Sequence, residues 1–353
     1  ATTAAIRERG LIPGLWFEWE TCGRTSETFK RTDEVLSRDG VTITVADRRC
    51  LELRKPAVRA GLDKRVLGRL RDDGFGYVKF DYNETLGLGV DGAESPGEGL
   101  RQVILATNEL YAGLAKALPN TVIELCASGG HRLEPSLMRH GHMGSFSDAH
   151  ETPELPLIAA GLHRLVPVRQ LQVWAVLRAE ADERRLLYVL AAGFLGRMCL
   201  SGDLPALSEE QWSLAKRALE LYAKAAPVLR DGRTHWFGPA VKVWRHPEGW
   251  QLIVRVAADG QTALVVGHAF GGVLPEVAEC ELPGGRWVVD EMLAETSDGA
   301  RGARHREQAR SYKSEEATAV VAETAAFTLV EGRRLVWGVP GVFSAAVVLL
   351  RRG

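Results

Sequence analysis

At 353 residues, with 46% hydrophobic and 25% charged residues, the chain is long enough for one large domain plus a small one, and its composition is that of a globular protein. Its 44 basic and 45 acidic residues nearly cancel, and no basic block marks a nucleic-acid surface. No stretch reaches the ~18–20 apolar residues of a membrane span.

The first residues, Ala1 to Arg7, carry neither an initiator Met nor the basic-then-apolar pattern of a signal peptide. Ile12-Pro13-Gly14-Leu15-Trp16-Phe17 reads as a strand, and Glu18-Trp19-Glu20 ends it. Val58, Leu62, Val66 and Leu70 recur every fourth residue, which predicts a helix opened near Pro56 and stopped by Gly74. A second strand, Tyr77-Val78-Lys79-Phe80, leads into Asp81-Tyr82-Asn83. Leu100, Val103, Leu110 and Leu114 mark another amphipathic helix, stopped by Pro119. Thr121 to Leu125 is the third strand and runs into Cys126-Ala127-Ser128-Gly129-Gly130-His131-Arg132. His142 to Phe146 is a weaker strand ending in Ser147-Asp148. Leu171 to Val176 and Arg197 to Leu200 complete the set, with an apolar helix over 181–196 between them. Ser208-Glu209-Glu210-Gln211 is a capping box that opens a helix carrying Trp212, Leu219 and Tyr222.

Such alternation implies parallel strands with helical crossovers, an α/β portion of about six βα units over 1–232. From 233 to 353 the texture changes to period-two strands, such as Trp250 to Val256, with Asp259-Gly260 as a hairpin turn before Ala263 to Val266. Trp287 to Val289, Ala326 to Val330 and Ala345 to Leu350 continue the pattern, which predicts a small antiparallel β-sandwich domain. The polar segment 296–316 reads as a long loop.

On parallel βα architectures, chemistry gathers at the C-terminal strand ends. In Lys79-Phe80-Asp81-Tyr82-Asn83, alternation sends Lys79, Asp81 and Asn83 to one face. An inward carboxylate beside a cation can serve as a nucleophile or an electrostatic stabiliser. The same residues also fit a Lys–Asp pair that closes a loop. Ser128-Gly129-Gly130 allows close backbone approach to a ligand, or makes a simple turn, and matches no phosphate-binding fingerprint. Asp148 fits a loop or helix-capping residue as well as a catalytic one. His131, His140, His142 and His150 cluster without a recognisable zinc pattern and read as loop or structural histidines. The five cysteines, Cys22, Cys50, Cys126, Cys199 and Cys280, are odd in number, widely spaced and without a C-x-x-C. That usage favours a reducing, cytoplasmic setting over a disulfide framework.

Taken in order, these segments resemble glycoside hydrolase family 36, the melibiase-type α-galactosidases. The family's G-L-W-F-E-P-E strand corresponds to Gly14-Leu15-Trp16-Phe17-Glu18-Trp19-Glu20, and its K-x-D-x-N motif to Lys79-Phe80-Asp81-Tyr82-Asn83. Its C-x-S-G-G segment corresponds to Cys126-Ala127-Ser128-Gly129-Gly130, and its S-D pair to Ser147-Asp148. The resemblance covers about residues 10 to 230. It implies a (β/α)8-type TIM barrel followed by a β domain, and a retaining α-glycosidase acting on terminal α-galactosides. Asp81 would be the nucleophile and Asp148 the general acid/base, with carboxyl groups roughly 5–5.5 Å apart. Trp16, Lys79, Asn83, Cys126 and Gly129 would bind an oligosaccharide or glycoside substrate. Neither this mechanism nor the resemblance calls for a metal or organic cofactor. Relatives are often homo-oligomers. A raffinose-synthase-like transglycosylase, or a non-catalytic carbohydrate-binding fragment, are the alternatives.

Several positions depart from the family pattern. Trp19 replaces Pro, Glu84 replaces Arg, His131 replaces a third Gly, Phe146 stands where Trp is common, and Glu151 is the nearest acidic residue after the S-D pair. These changes are expected to crowd the mouth of the site. No D-D-G-W segment occurs, and Asp72-Asp73-Gly74 resembles one only superficially at a helix end. About six βα units stand where a closed barrel has eight. That predicts an N-terminally truncated or divergent barrel with an open sheet edge.

Overall fold

The computed structural model describes residues 2–83, 85–241, 243–295 and 326–353, together with the backbone of 322–323. Glu84 and the segment 296–316, read above as a loop, lie outside the described residues. Two compact units divide the chain, Ala1–Asp148 and Ala149–Gly353.

In the first unit, β1 (Gly14–Phe17), β2 (Tyr77–Phe80), β3 (Val122–Leu125) and β4 (Met143–Ser145) pair side by side in parallel. Val78 and Phe80, and Ile123 and Leu125, share one face of their strands and are buried there. The register aligns Trp16 with Lys79, Lys79 with Glu124, and Glu124 with Met143, so one row crosses the sheet near its C-terminal edge.

The predicted helices are present. The first runs over 56–72 with a π-helical turn at Asp63–Leu67, and Asp72 and Asp73 do close it. The second is α1 (Pro96–Ala117), whose N-cap Ser95 accepts a hydrogen bond from the Glu98 N–H. Between β1 and the 56–72 helix, short antiparallel strands form an excursion that periodicity did not disclose, with Thr21–Gly23 pairing Arg48–Cys50. They are too short for an alternation to register.

Trp19 was expected at the mouth. It is instead 3% exposed and packs on Phe80 (ring centroids 4.2 Å apart) and Tyr111 (5.1 Å). The backbone leaving β1 turns this large ring into the core beneath the sheet end, where its burial is favourable.

In the second unit, β5 (Leu171–Leu177) and β6 (Arg197–Gly202) pair in parallel, separated by α2 (Glu183–Gly193). The capping box at Ser208 and Gln211 forms in full and opens α3 (Glu209–Asp231). Strand pairing then becomes antiparallel, starting with β7 (Arg233–Phe237). One sheet contains β7, β8 (Trp250–Val256), β9 (Thr262–Ala269), β14 (Ala345–Arg352) and β11 (Trp287–Leu293), in that order. A second contains β10 (Val277–Glu281), β13 (Arg334–Gly338) and β12 (Phe327–Val330). Val254, Val265 and Val348 from the first sheet share a core with Cys280, Phe327 and Trp337 from the second. The architecture is α/β, the strands and helices of a (β/α)-barrel portion followed by a small antiparallel β domain. Among the described residues no helix is long and apolar enough to cross a membrane.

Candidate active site

The ends of β1 to β4 bring most of the sequence candidates into one unit. Asp81 follows β2 directly, with its N–H on the Phe17 carbonyl at 2.8 Å, so the backbone stays extended past the strand end. Its carboxylate is 8% exposed. Oδ1 accepts the Tyr82 N–H at 2.9 Å and Oδ2 accepts the Trp16 indole N–H at 3.3 Å. Trp16 itself is 49% exposed, so an apolar ring face stands open beside a buried carboxylate.

Lys79 lies on the same side of β2 and ion-pairs Glu124 at 3.1 Å. Burial works against its ammonium, but the charge of Glu124, backed by Cys126 and Asp81, more than offsets this and raises its pKa. The Cys126 thiol is buried beside Asp81, and burial pushes it up to about 12. It is therefore a neutral wall rather than a nucleophile.

Asn83 is held from two sides. One amide hydrogen goes to Glu18 at 2.6 Å, and the amide oxygen accepts from the Ser128 N–H at 3.2 Å. Glu18 in turn accepts from Arg48 at 2.7 Å. The ends of β1, β2 and β3 are thus tied through one amide.

Gly129 has a specific reason to be glycine. Its φ is +80°, and a Cβ there would lie 2.7 Å from the Ser147 Cα and 2.9 Å from the Asp148 N. A Cβ on Gly130 would meet the Phe146 carbonyl oxygen at 2.8 Å. The Ser128-Gly129-Gly130 turn therefore lets the Ser147-Asp148 backbone close onto the β3 end. Asp148 is exposed there, three residues past the end of β4.

Sequence reasoning assigned no role to Glu124, Glu18 or Arg132, although Glu18 stands at the end of the first predicted strand. Arg132 forms a two-pronged pair with the buried Glu20 (2.5 and 2.8 Å) and stacks on the Tyr82 ring at 4.1 Å. Tyr82, Glu20 and Arg132 also line a largely aliphatic cavity of ≈ 410 Å³. A lone Glu in the apolar run Val122-Ile123-Glu124-Leu125 was the available signal. The histidines are loop residues: His142 Nδ1 accepts the Ile123 N–H at 3.1 Å, and His150 stacks on Trp174. In the second unit, Glu151 pairs with Arg178.

Parallel strands alternating with helices, followed by an antiparallel domain, define a (β/α)-barrel-type fold with a trailing β domain. Within that class, the chain belongs to the Melibiase family, whose sequence model matches residues 1–232. It is 24% identical to α-galactosidase 2 of Pediococcus pentosaceus over 71% of this chain and 35% of that protein. It is 28% identical to an Escherichia coli α-galactosidase over 46% of this chain and 23% of that one. The chain thus spans about a third or less of the length of these curated relatives. In fold it is similar to the α-galactosidase from Lactobacillus brevis (TM-score 0.74, 17% identity, 99% of this chain and 45% of that one). It is also similar to the GH36 α-galactosidase AgaA from Geobacillus stearothermophilus (TM-score 0.69, 18% identity, 80% and 40%).

Proposed function

We propose that the chain is the catalytic portion of a retaining α-glycosidase acting on terminal α-galactosides. Residues 1–232 would carry the chemistry and 233–353 would form its β-sandwich domain. The observation that carries this reading is the Asp81 carboxylate, buried at a parallel strand end with both oxygens oriented by N–H donors.

In the first step Asp81 attacks the anomeric carbon and the glycosidic C–O bond breaks. Asp148 gives its proton to the departing oxygen. In the second step Asp148 takes a proton from water, the water oxygen attacks the same carbon, and Asp81 leaves. Two inversions give retention. The exposed position of Asp148 suits a group that must meet the departing oxygen and then the incoming water.

Trp16 offers a sugar-stacking face, and Lys79 and the second amide hydrogen of Asn83 offer donors to sugar hydroxyls. Cys126 and Gly129 form the close wall. The five free thiols support a reducing, cytoplasmic setting. The reading extends to an oligosaccharide substrate and, through the family resemblance, to a homo-oligomer.

The test is turnover of an aryl α-galactoside by the purified chain, beside Asp81→Ala and Asp148→Ala. Activity lost in the first, and lost mainly on poor leaving groups in the second, is the expected result. Added sucrose that captures the galactosyl group would move the assignment to a transglycosylase. A folded chain that binds galactosides without turnover would sink the catalytic reading and leave a carbohydrate-binding fragment.

A further inference from the structure

We propose that Glu124 is a positioning residue of this site, holding the Lys79 side chain in place, and charged, beside Asp81. The inference rests on the reading of Asp81 and Lys79 given above.

Glu124 breaks an otherwise apolar strand and is 2% exposed. A carboxylate so far from water is tolerated only with partners. Both of its oxygens have them, and both partners come from the neighbouring strand β2. Lys79 Nζ lies 3.1 Å from Oε1, and the Tyr77 hydroxyl donates to Oε2. Tyr77 and Lys79 are two residues apart on one face of β2, and Lys79 is the register partner of Glu124. The carboxylate is therefore pinned at two points and fixes the lysine head group.

Asp81 is the next residue along that same face. The groups that bear on the ammonium are Glu124 and the Cys126 thiol from β3 and its continuation, and Asp81 from its own strand. On the other flanking strand, the register partner of Lys79 is the neutral Trp16. Burial alone would drive a lysine here toward the neutral amine, and Glu124 supplies the largest opposing charge.

A cross-link that merely joins β2 to β3 would need only the shape of this side chain. Gln keeps that shape: its one carbonyl oxygen can accept from Lys79 while its NH2 donates to the Tyr77 hydroxyl, which can accept as well as donate. What it removes is the charge, and the charge is what the proposal assigns.

The experiment titrates the full chain labelled with isotopic lysine, followed by NMR, with the Lys79 resonance assigned by its loss in Lys79→Met. In the parent, Lys79 is expected to titrate no lower than exposed lysines such as Lys64 and Lys216. In Glu124→Gln its midpoint should fall by about one pH unit or more. The alkaline limb of kcat/KM on an aryl α-galactoside should move down with it. Tyr77→Phe, which keeps the charge, should leave the midpoint nearly in place.

An unchanged midpoint in Glu124→Gln would overturn the proposal. So would a parent Lys79 that titrates below the exposed lysines, a result that needs no variant to fold. The titration does not depend on turnover. A silent chain whose Lys79 still responds to Glu124→Gln would remove the catalytic reading and leave the positioning role standing.

Discussion

At the scale of single residues, the site is governed by what each position excludes. Gly129 excludes a Cβ, because any side chain there collides with the Ser147-Asp148 backbone at a φ that L-residues avoid. Gly129→Ala is expected to cost about 1–3 kcal/mol of stability. In an active chain it should also lower kcat by displacing Asp148. A urea midpoint that does not move would show that the two loops are not in close apposition. Trp19 teaches the opposite lesson. The sequence locates it beside catalytic candidates, but its ring is core, held by Phe80 and by a hydrogen bond to the Tyr111 hydroxyl at 3.0 Å. One residue of backbone rotation separates Glu18, which reaches Asn83, from this buried indole. Sequence adjacency cannot tell the two directions apart.

At the scale of elements, most strands and helices of the barrel portion were legible where they bury a periodic face, whereas the helix Leu155–Leu162 and the strands Val277–Glu281 and Arg334–Gly338 were not read from the sequence. β2 begins and ends where the apolar run does, and α3 opens at its capping box. Elements shorter than a full pattern were not legible, including the excursion strands before residue 56 and the four-residue helix Pro135–Met138. The end of α3 depends on a residue far along the chain. Arg255 on β8 is buried and donates to the Val228, Leu229 and Gly232 carbonyls, at 3.2, 3.2 and 2.6 Å. The Val228 carbonyl also accepts the Gly232 N–H, so Arg255 adds side-chain donors to a helix end whose last carbonyls have few backbone partners. Burial lowers this guanidinium to about 10. Arg255→Met is expected to destabilise the chain by about 3 kcal/mol or more, since several buried acceptors lose their donor together. Arg255→Lys should recover only part of that, because an ammonium lacks the fork that spans the carbonyls. Chemical denaturation of the three proteins would check the order.

At the scale of the whole molecule, the second unit carries a buried histidine, His268, and a half-buried one, His163, that make stability depend on pH. Burial holds His268 down to about 3 and His163 down to about 4. Between those values and the ordinary histidine pKa of about 6.5, the unfolded chain binds more protons than the folded one. Stability is therefore undiminished by these groups above about pH 6.5 and declines as pH falls, by about 1.4 kcal/mol per unit per histidine. The denaturation midpoint should drop between pH 7 and pH 5, and His268→Leu should flatten part of that slope. An identical slope in the variant would show that His268 is protonated without cost in the folded state.

What the sequence determined by itself was the alternation of parallel strands and helices, the change to antiparallel strands, and the family to which four ordered motifs belong. These are local or near-local patterns, written in the spacing of apolar side chains and in short runs around strand ends. What only the tertiary structure decided was which polar groups meet. Glu124 faces Lys79 because two strands 40-odd residues apart take one register. Gly129 meets Asp148 because two loops close on each other, and Arg255 reaches α3 through the packing of a strand on a helix end. Such pairings follow from the three-dimensional arrangement of distant segments, and no spacing along the chain records them.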